Sequence, residues 1–123
     1  MEVRVRHEGP DALVIVIIDL EDFSTSSPHR DLTLSGNLND WRVNEDELRF
    51  PWADGDSGEG RRNFLPLRVP VPRRLDALEF KLWDSVKEEW LEPYGYLQGA
   101  YSRMEPYLKR NELGSLNVCI PLS

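Results

Sequence analysis

The 123-residue chain has a single cysteine, Cys119, and only two histidines, His7 and His29. One cysteine excludes an internal disulfide, and with no second Cys or His at ligand spacing it offers no zinc signature, so Cys119 is expected to be a small buried hydrophobe. The opening "MEVRVRHEGP" is charged and lacks the apolar centre of a secretory signal. The longest apolar run, Ala12 to Ile18, is far too short to span a bilayer. These features predict a soluble, cytoplasmic chain with no membrane partner, and the initial Met and full last strand favour a free-standing one. A basic excess is also missing: 15 Lys and Arg against 22 Asp and Glu give a formal net charge of −7, which argues against nucleic acid and favours a neutral ligand or a protein.

Catalytic signatures are equally scarce. No G-x-S-x-G, H-E-x-x-H or phosphate-cradling glycine loop occurs, and the carboxylates, though numerous, are not paired across a cleft by sequence alone and read as solvated surface. The stretch "DGDSG" (54–58) has the start of an oxygen-ligand calcium loop but not its later ligands, and it reads as a hairpin loop. No cofactor, no metal and no enzymatic activity are expected.

Helical periodicity is nearly absent, and what is present is strand alternation. "VRVR" and "ALVIVIIDL" flank "GPD" and predict a hairpin over residues 1–20, with Val14 to Ile18 apolar on both faces and therefore covered on both sides. "DLTLSG", "ELRFPW", "FLPLRVPVP", "DALEFKLWD" and "SLNVCIPL" read as further strands. The prolines of the third, Pro66 and Pro70, point to an edge or a bulge. In the fourth, Leu78, Phe80 and Leu82 share one face, and Glu79, Lys81 and Trp83 share the other. "SRMEPYLKR" reads as a loop. Together these predict one domain over residues 1–123, an all-β antiparallel sandwich.

The tryptophans carry the functional signal. Trp41 ends the turn "LSGNLNDW" (34–41), Trp83 alternates outward beside Lys81, and Trp90 lies in the acidic "EEWLEP" (88–93). An indole at such positions is poorly placed to plug a core, whereas a ring flanked by amide and ammonium donors suits a sugar, whose C–H face stacks while its hydroxyls need partners. Trp52, in "RFPW", reads as structural.

Four pieces in order, "LSGNLNDW" (34–41), "EFKLW" (79–83), "EEWLEP" (88–93) and "LGSLN" (113–117), resemble the glycogen- and starch-binding modules of the AMP-activated protein kinase β subunit and of branching and debranching enzymes. The resemblance covers residues from about 32 to the end. It implies an immunoglobulin-like β-sandwich that binds α-1,4-glucans without catalysis. In that frame Trp41 and Trp90 are the stacking platforms, Lys81 and Asn117 donate to hydroxyls, Leu113 slides under or through the glucan, and Ser115 supports by hydrogen bonding. Trp83 is a third platform or a protein contact. The sequence departs from the family at Leu38, where a Phe is usual, and in the longer segment "LWDSVKEE" before Trp90, so the reach of Trp90 is a structural question. The hairpin of residues 1–20 is extra to the minimal module. The alternative reading is a regulatory module that docks on a carbohydrate-active enzyme or kinase subunit and binds no glycan.

Overall fold

The computed structural model describes residues 1–19, 31–51, 64–91 and 107–122. Among the described residues there are eight strands: β1 (Glu2–Glu8), β2 (Asp11–Asp19), β3 (Leu32–Gly36), β4 (Phe64–Pro72), β5 (Ala77–Asp84), β6 (Glu89–Leu91), β7 (Leu108–Arg110) and β8 (Leu116–Pro121). They form two antiparallel sheets, one in the order β1-β2-β4 and the other β3-β5-β8-β7, with β6 also paired to β5. The all-β sandwich expected from the sequence is the architecture observed. No helix of the described residues is long and apolar enough to cross a membrane.

One face of each sheet supplies the core. Ala12, Val14, Val16 and Ile18 of β2 and Leu67, Val69 and Val71 of β4 pack against Leu32 and Leu34 of β3, Leu78, Phe80 and Leu82 of β5, and Val118 and Ile120 of β8. The two-residue period sends these side chains inward at every second position, and burying each contributes about 1.5–3 kcal/mol. The N-terminal hairpin is no appendage, because β2 is the central strand of the smaller sheet and its Val14, Val16 and Ile18 are fully buried.

Three expectations change. The second face of β2 is only partly covered: Leu13, Ile15 and Ile17 stay partly exposed, between Arg6, Arg4 and Glu2 of β1 and Pro70, Arg68 and Pro66 of β4. Long polar side chains lie over such a stripe without sealing it. The described part of "ELRFPW", residues 47–51, is not a strand. Asp46–Leu48 forms one turn of 3-10 helix, and only an isolated bridge between Arg49 and Thr33 and the Phe50 N–H donating to the Leu32 carbonyl (2.9 Å) continue the pairing. Leu48 and Phe50 are nevertheless buried, so the alternation that suggested a strand reflects two side chains plugging the sandwich from a loop. In "SRMEPYLKR" the last three residues are β7, brought into the sheet by pairing with β8. The calcium-like "DGDSG" and Trp52 lie outside the described residues. The edge reading of "FLPLRVPVP" agrees with β4, which among the described residues pairs only with β2.

The pairing of β3 with β5 is closest at Gly36. A Cβ on Gly36 would lie 2.1 Å from the Glu79 carbonyl oxygen and 2.9 Å from the Phe80 Cβ, so only glycine fits. The Glu79 carbonyl cannot retreat easily, because it accepts the Asn37 N–H at 3.0 Å. Gly36→Ala is therefore expected to destabilise the fold by roughly 3 kcal/mol or more, as forced overpacking against backbone does. Urea denaturation measures this, and a loss below about 1 kcal/mol would contradict the close approach.

Candidate functional site

The second half of "LSGNLNDW" is a loop tied down at both ends. Asn37 extends the pairing of β3 beyond Gly36: its side-chain amide donates to the Ala77 carbonyl (2.9 Å) and its Oδ1 accepts the Glu79 N–H (3.1 Å). Asn39 turns the chain, its Oδ1 accepting the Gly36 N–H (3.0 Å) and its amide donating to the Arg42 carbonyl (3.1 Å). The Gly36 carbonyl then accepts both the Asn39 and the Trp41 N–H groups. Asp40 and Trp41 take φ of 56° and 60°, a left-handed conformation that costs a bulky residue energy and holds only where the surroundings fix it. The result is an indole 36% exposed on an immobilised turn. At the far end of the loop Arg49 joins Asp31, Asp46 and Asn44, and Ser85 also donates to Asn44 (3.0 Å). Burial works against the Arg49 charge, but hydrogen bonds and charge from Asp31 and Asp46 outweigh it and raise its pKa.

The floor comes from β5 and β8. Phe80 is flanked by Gly36 and Val118, and Leu82 by Leu34 and Leu91, so β8 and β6 follow one another along the same edge of β5. Lys81 lies at the gap between them. Continuing the β5–β8 register by one residue sets Asn117 beside it, with Ser35 across from it on β3. Lys81 is only 6% exposed, and its Nζ donates to the Ser115 Oγ at 2.5 Å. Asn117 is 4% exposed, and its side-chain oxygen has no hydrogen-bond partner among the described residues; neither does the buried Ser35 Oγ. Buried acceptors without partners cost about 1–3 kcal/mol each, so Asn117 brings to the floor hydrogen-bonding capacity that the described residues leave unused.

Trp90 forms the second wall. The longer segment before it is a hairpin turn, in which the Asp84 Oδ1 accepts the Val86 (3.0 Å) and Lys87 (3.2 Å) N–H groups and returns the chain as β6. This places Trp90 directly across from Trp83, with ring centroids 5.0 Å apart at 76°. Its ring also meets that of Trp41 at 6.5 Å and 72°. The lip is the β7–β8 turn. The Asn111 Oδ1 accepts the Leu113 and Ser115 N–H groups, both at 2.9 Å, while the Asn111 N–H donates to the Ser115 carbonyl (2.8 Å). Gly114 takes φ of 84°, where side chains are strained, and Leu113 is held at the tip 93% exposed.

Trp41, Lys81, Trp90, Leu113, Ser115 and Asn117 thus line one hollow of about 410 Å³. Asn111 completes the lining and was missed in the sequence, although an Asn opening "NELGS" is a recognisable side-chain-capped turn. Trp83 does not line the hollow; it is partly buried behind Trp90. Cys119, on the same outer face, is partly buried, and burial followed by the Glu79 charge raises its pKa against the opposing effect of Lys109. Among the described residues no three His, Cys, Asp or Glu side chains cluster to hold a metal ion.

Asn111→Ala removes the acceptor shared by two backbone donors and is expected to loosen the lip, costing about 1–2 kcal/mol. Hydrogen exchange at the Leu113 and Ser115 amides should accelerate while Val118 and Ile120 keep their protection. Unchanged exchange at the two turn amides would show that the Asn111 side chain does not hold the turn.

Comparison of the chain with protein-family models, with curated proteins and with solved structures found no match.

Proposed function

We propose that the chain binds α-1,4-glucans such as glycogen, starch or maltooligosaccharides, without catalysis, in the hollow between Trp41, Trp90 and the β7–β8 turn. The observation that carries this reading is the meeting of residues from four separated pieces of sequence. Trp41, Lys81, Trp90 and the Leu113, Ser115 and Asn117 of one turn and strand start, all singled out by resemblance to glycogen- and starch-binding modules, line one hollow. Its volume is that of a small-ligand cleft.

The chemistry matches. Two indole rings at 72° cannot both lie against a flat chain, but an α-1,4-glucan curves and presents successive sugar faces at an angle. The ammonium of Lys81 and the amides of Asn111 and Asn117 offer donors and acceptors to hydroxyls at the floor and lip. Ring faces and amide groups dominate the described lining, rather than the pair of carboxylates with which glycosidases work. Stacking on an aromatic contributes roughly 1–3 kcal/mol per ring, so two rings and a few solvent-competed hydrogen bonds give a dissociation constant on the order of micromolar to millimolar. Affinity for a polymer then grows through its many repeats. The immunoglobulin-like variant of the sandwich belongs to the same proposal.

A second reading, a module that docks on a carbohydrate-active enzyme or kinase subunit, draws on the partly exposed Leu13, Ile15 and Ile17 on the outer face of the smaller sheet. The two readings separate in a native gel containing glycogen. Retardation of the parent chain is expected, with loss of at least about tenfold in apparent affinity for Trp41→Ala and for Lys81→Met. The second substitution keeps the buried stem of the lysine and removes its ammonium. If the parent and both variants migrate alike with and without glycogen, the glucan assignment fails.

A further inference from the structure

Resting on the glucan reading of the hollow, we propose that Trp83 is a positioning residue that sets the orientation of the Trp90 ring. Trp90 sits on β6, a strand of only three residues whose ladder partner is β5 alone among the described residues. So short a ladder fixes the Cα of Trp90 but leaves two side-chain torsions to be decided by packing. The neighbour across the strand is Trp83, at the directly opposed position where side chains on one sheet face approach most closely.

The three indoles form a series in which Trp90 is central. It meets Trp83 at 5.0 Å and 76° on one side and Trp41 at 6.5 Å and 72° on the other. Both contacts are edge-to-face, the geometry aromatic quadrupoles favour. The closer one is with the ring that stays out of the hollow, so Trp83 is placed to orient its neighbour without touching a ligand seated there. Trp83 is itself held: it is partly buried and opposes Thr33, which is fully buried, on the other flank of β5. The turn that delivers Trp90 is fixed as well, through the Asp84 carboxylate and the Ser85 N–H donating to the Asp31 carbonyl at 2.8 Å. An indole on the outer face of β5 thereby gains a reason that neither core packing nor ligand contact supplies.

The test uses the full chain labelled with 5-fluorotryptophan. The Trp90 fluorine resonance is identified by its loss in Trp90→Ala, and maltoheptaose affinity is measured in parallel. Trp83→Leu is expected to shift or broaden the Trp90 resonance in the ligand-free chain and to weaken maltoheptaose binding by about fivefold, the scale of one edge-to-face contact. The same substitution in the Trp90→Ala background should change affinity no further, since its effect passes through Trp90. Trp83→Phe, which keeps an aromatic edge, should displace the resonance less and restore most of the affinity; it also serves if the leucine variant does not fold. A Trp90 resonance that stays in place in the folded Trp83 variants overturns the proposal, and so does an equal loss of affinity with and without Trp90, which would make Trp83 a ligand contact. If the parent chain does not bind maltoheptaose, the glucan reading falls, while the ligand-free fluorine spectra still decide the role of Trp83.

Discussion

Contact between the backbones of Gly36 and Glu79 is the constraint from which the rest of the candidate site follows. Without a Cβ at position 36 the end of β3 lies against β5 closely enough for Asn37 to continue the pairing with both its backbone and its side chain. From that anchor the Asn39 side chain closes a turn back onto Gly36, and the chain emerges with Trp41 in a left-handed conformation and its ring partly exposed beside Trp90. A wider spacing between the end of β3 and β5 would release Asn37 and leave the indole on a loop without a fixed exit.

The other half of the hollow depends on how β5 shares one of its edges. β8 occupies the first part and β6 the second, and Lys81 falls at the junction. A single long strand on that edge would run its own side chains past Lys81. Two short ones meeting there let β6, carrying Trp90, and the β7–β8 turn, carrying Leu113, stand around a polar floor. Asn111 and Asp84 act as the matching devices in the two turns, each side-chain oxygen accepting two backbone N–H groups. Aromatic ring faces, an ammonium and amides then converge on a surface set by backbone hydrogen bonding rather than by the core.

Much of the fold is legible in the sequence because the core-facing apolar side chains recur at every second position: β2, β4, β5 and β8 each show it, and each is a strand, while the buried polar Lys81 and Asn117 lie off that period. The failures have physical causes. Leu48 and Phe50 alternate like a strand because both reach the core, yet the acidic turn before them and the pairing of Arg49 with Asp31 and Asp46 keep the segment as a loop. Leu108–Arg110 has too few apolar residues to declare itself and becomes a strand through its partner β8. Within the site, Trp41, Lys81, Leu113, Ser115 and Asn117 could be named in advance because they stand in recognisable pieces. Whether Trp90 joins them could not, since that depends on the Asp84-capped turn. Asn111 escaped notice because its role is to hold backbone, and the place of Trp83 outside the hollow was not legible because alternation reports the face of a sheet and not the neighbour that stands in front.

The central claim is that these separated pieces form one glucan-binding surface, and amide and indole chemical-shift mapping during titration with maltoheptaose tests it most directly. Saturable shifts are expected at the Trp41 and Trp90 indole N–H groups, at Lys81 and at the Asn111–Asn117 amides, with Leu13, Ile15 and Ile17 unmoved. An absence of shifts at millimolar sugar, or shifts centred on the smaller sheet, would contradict the claim.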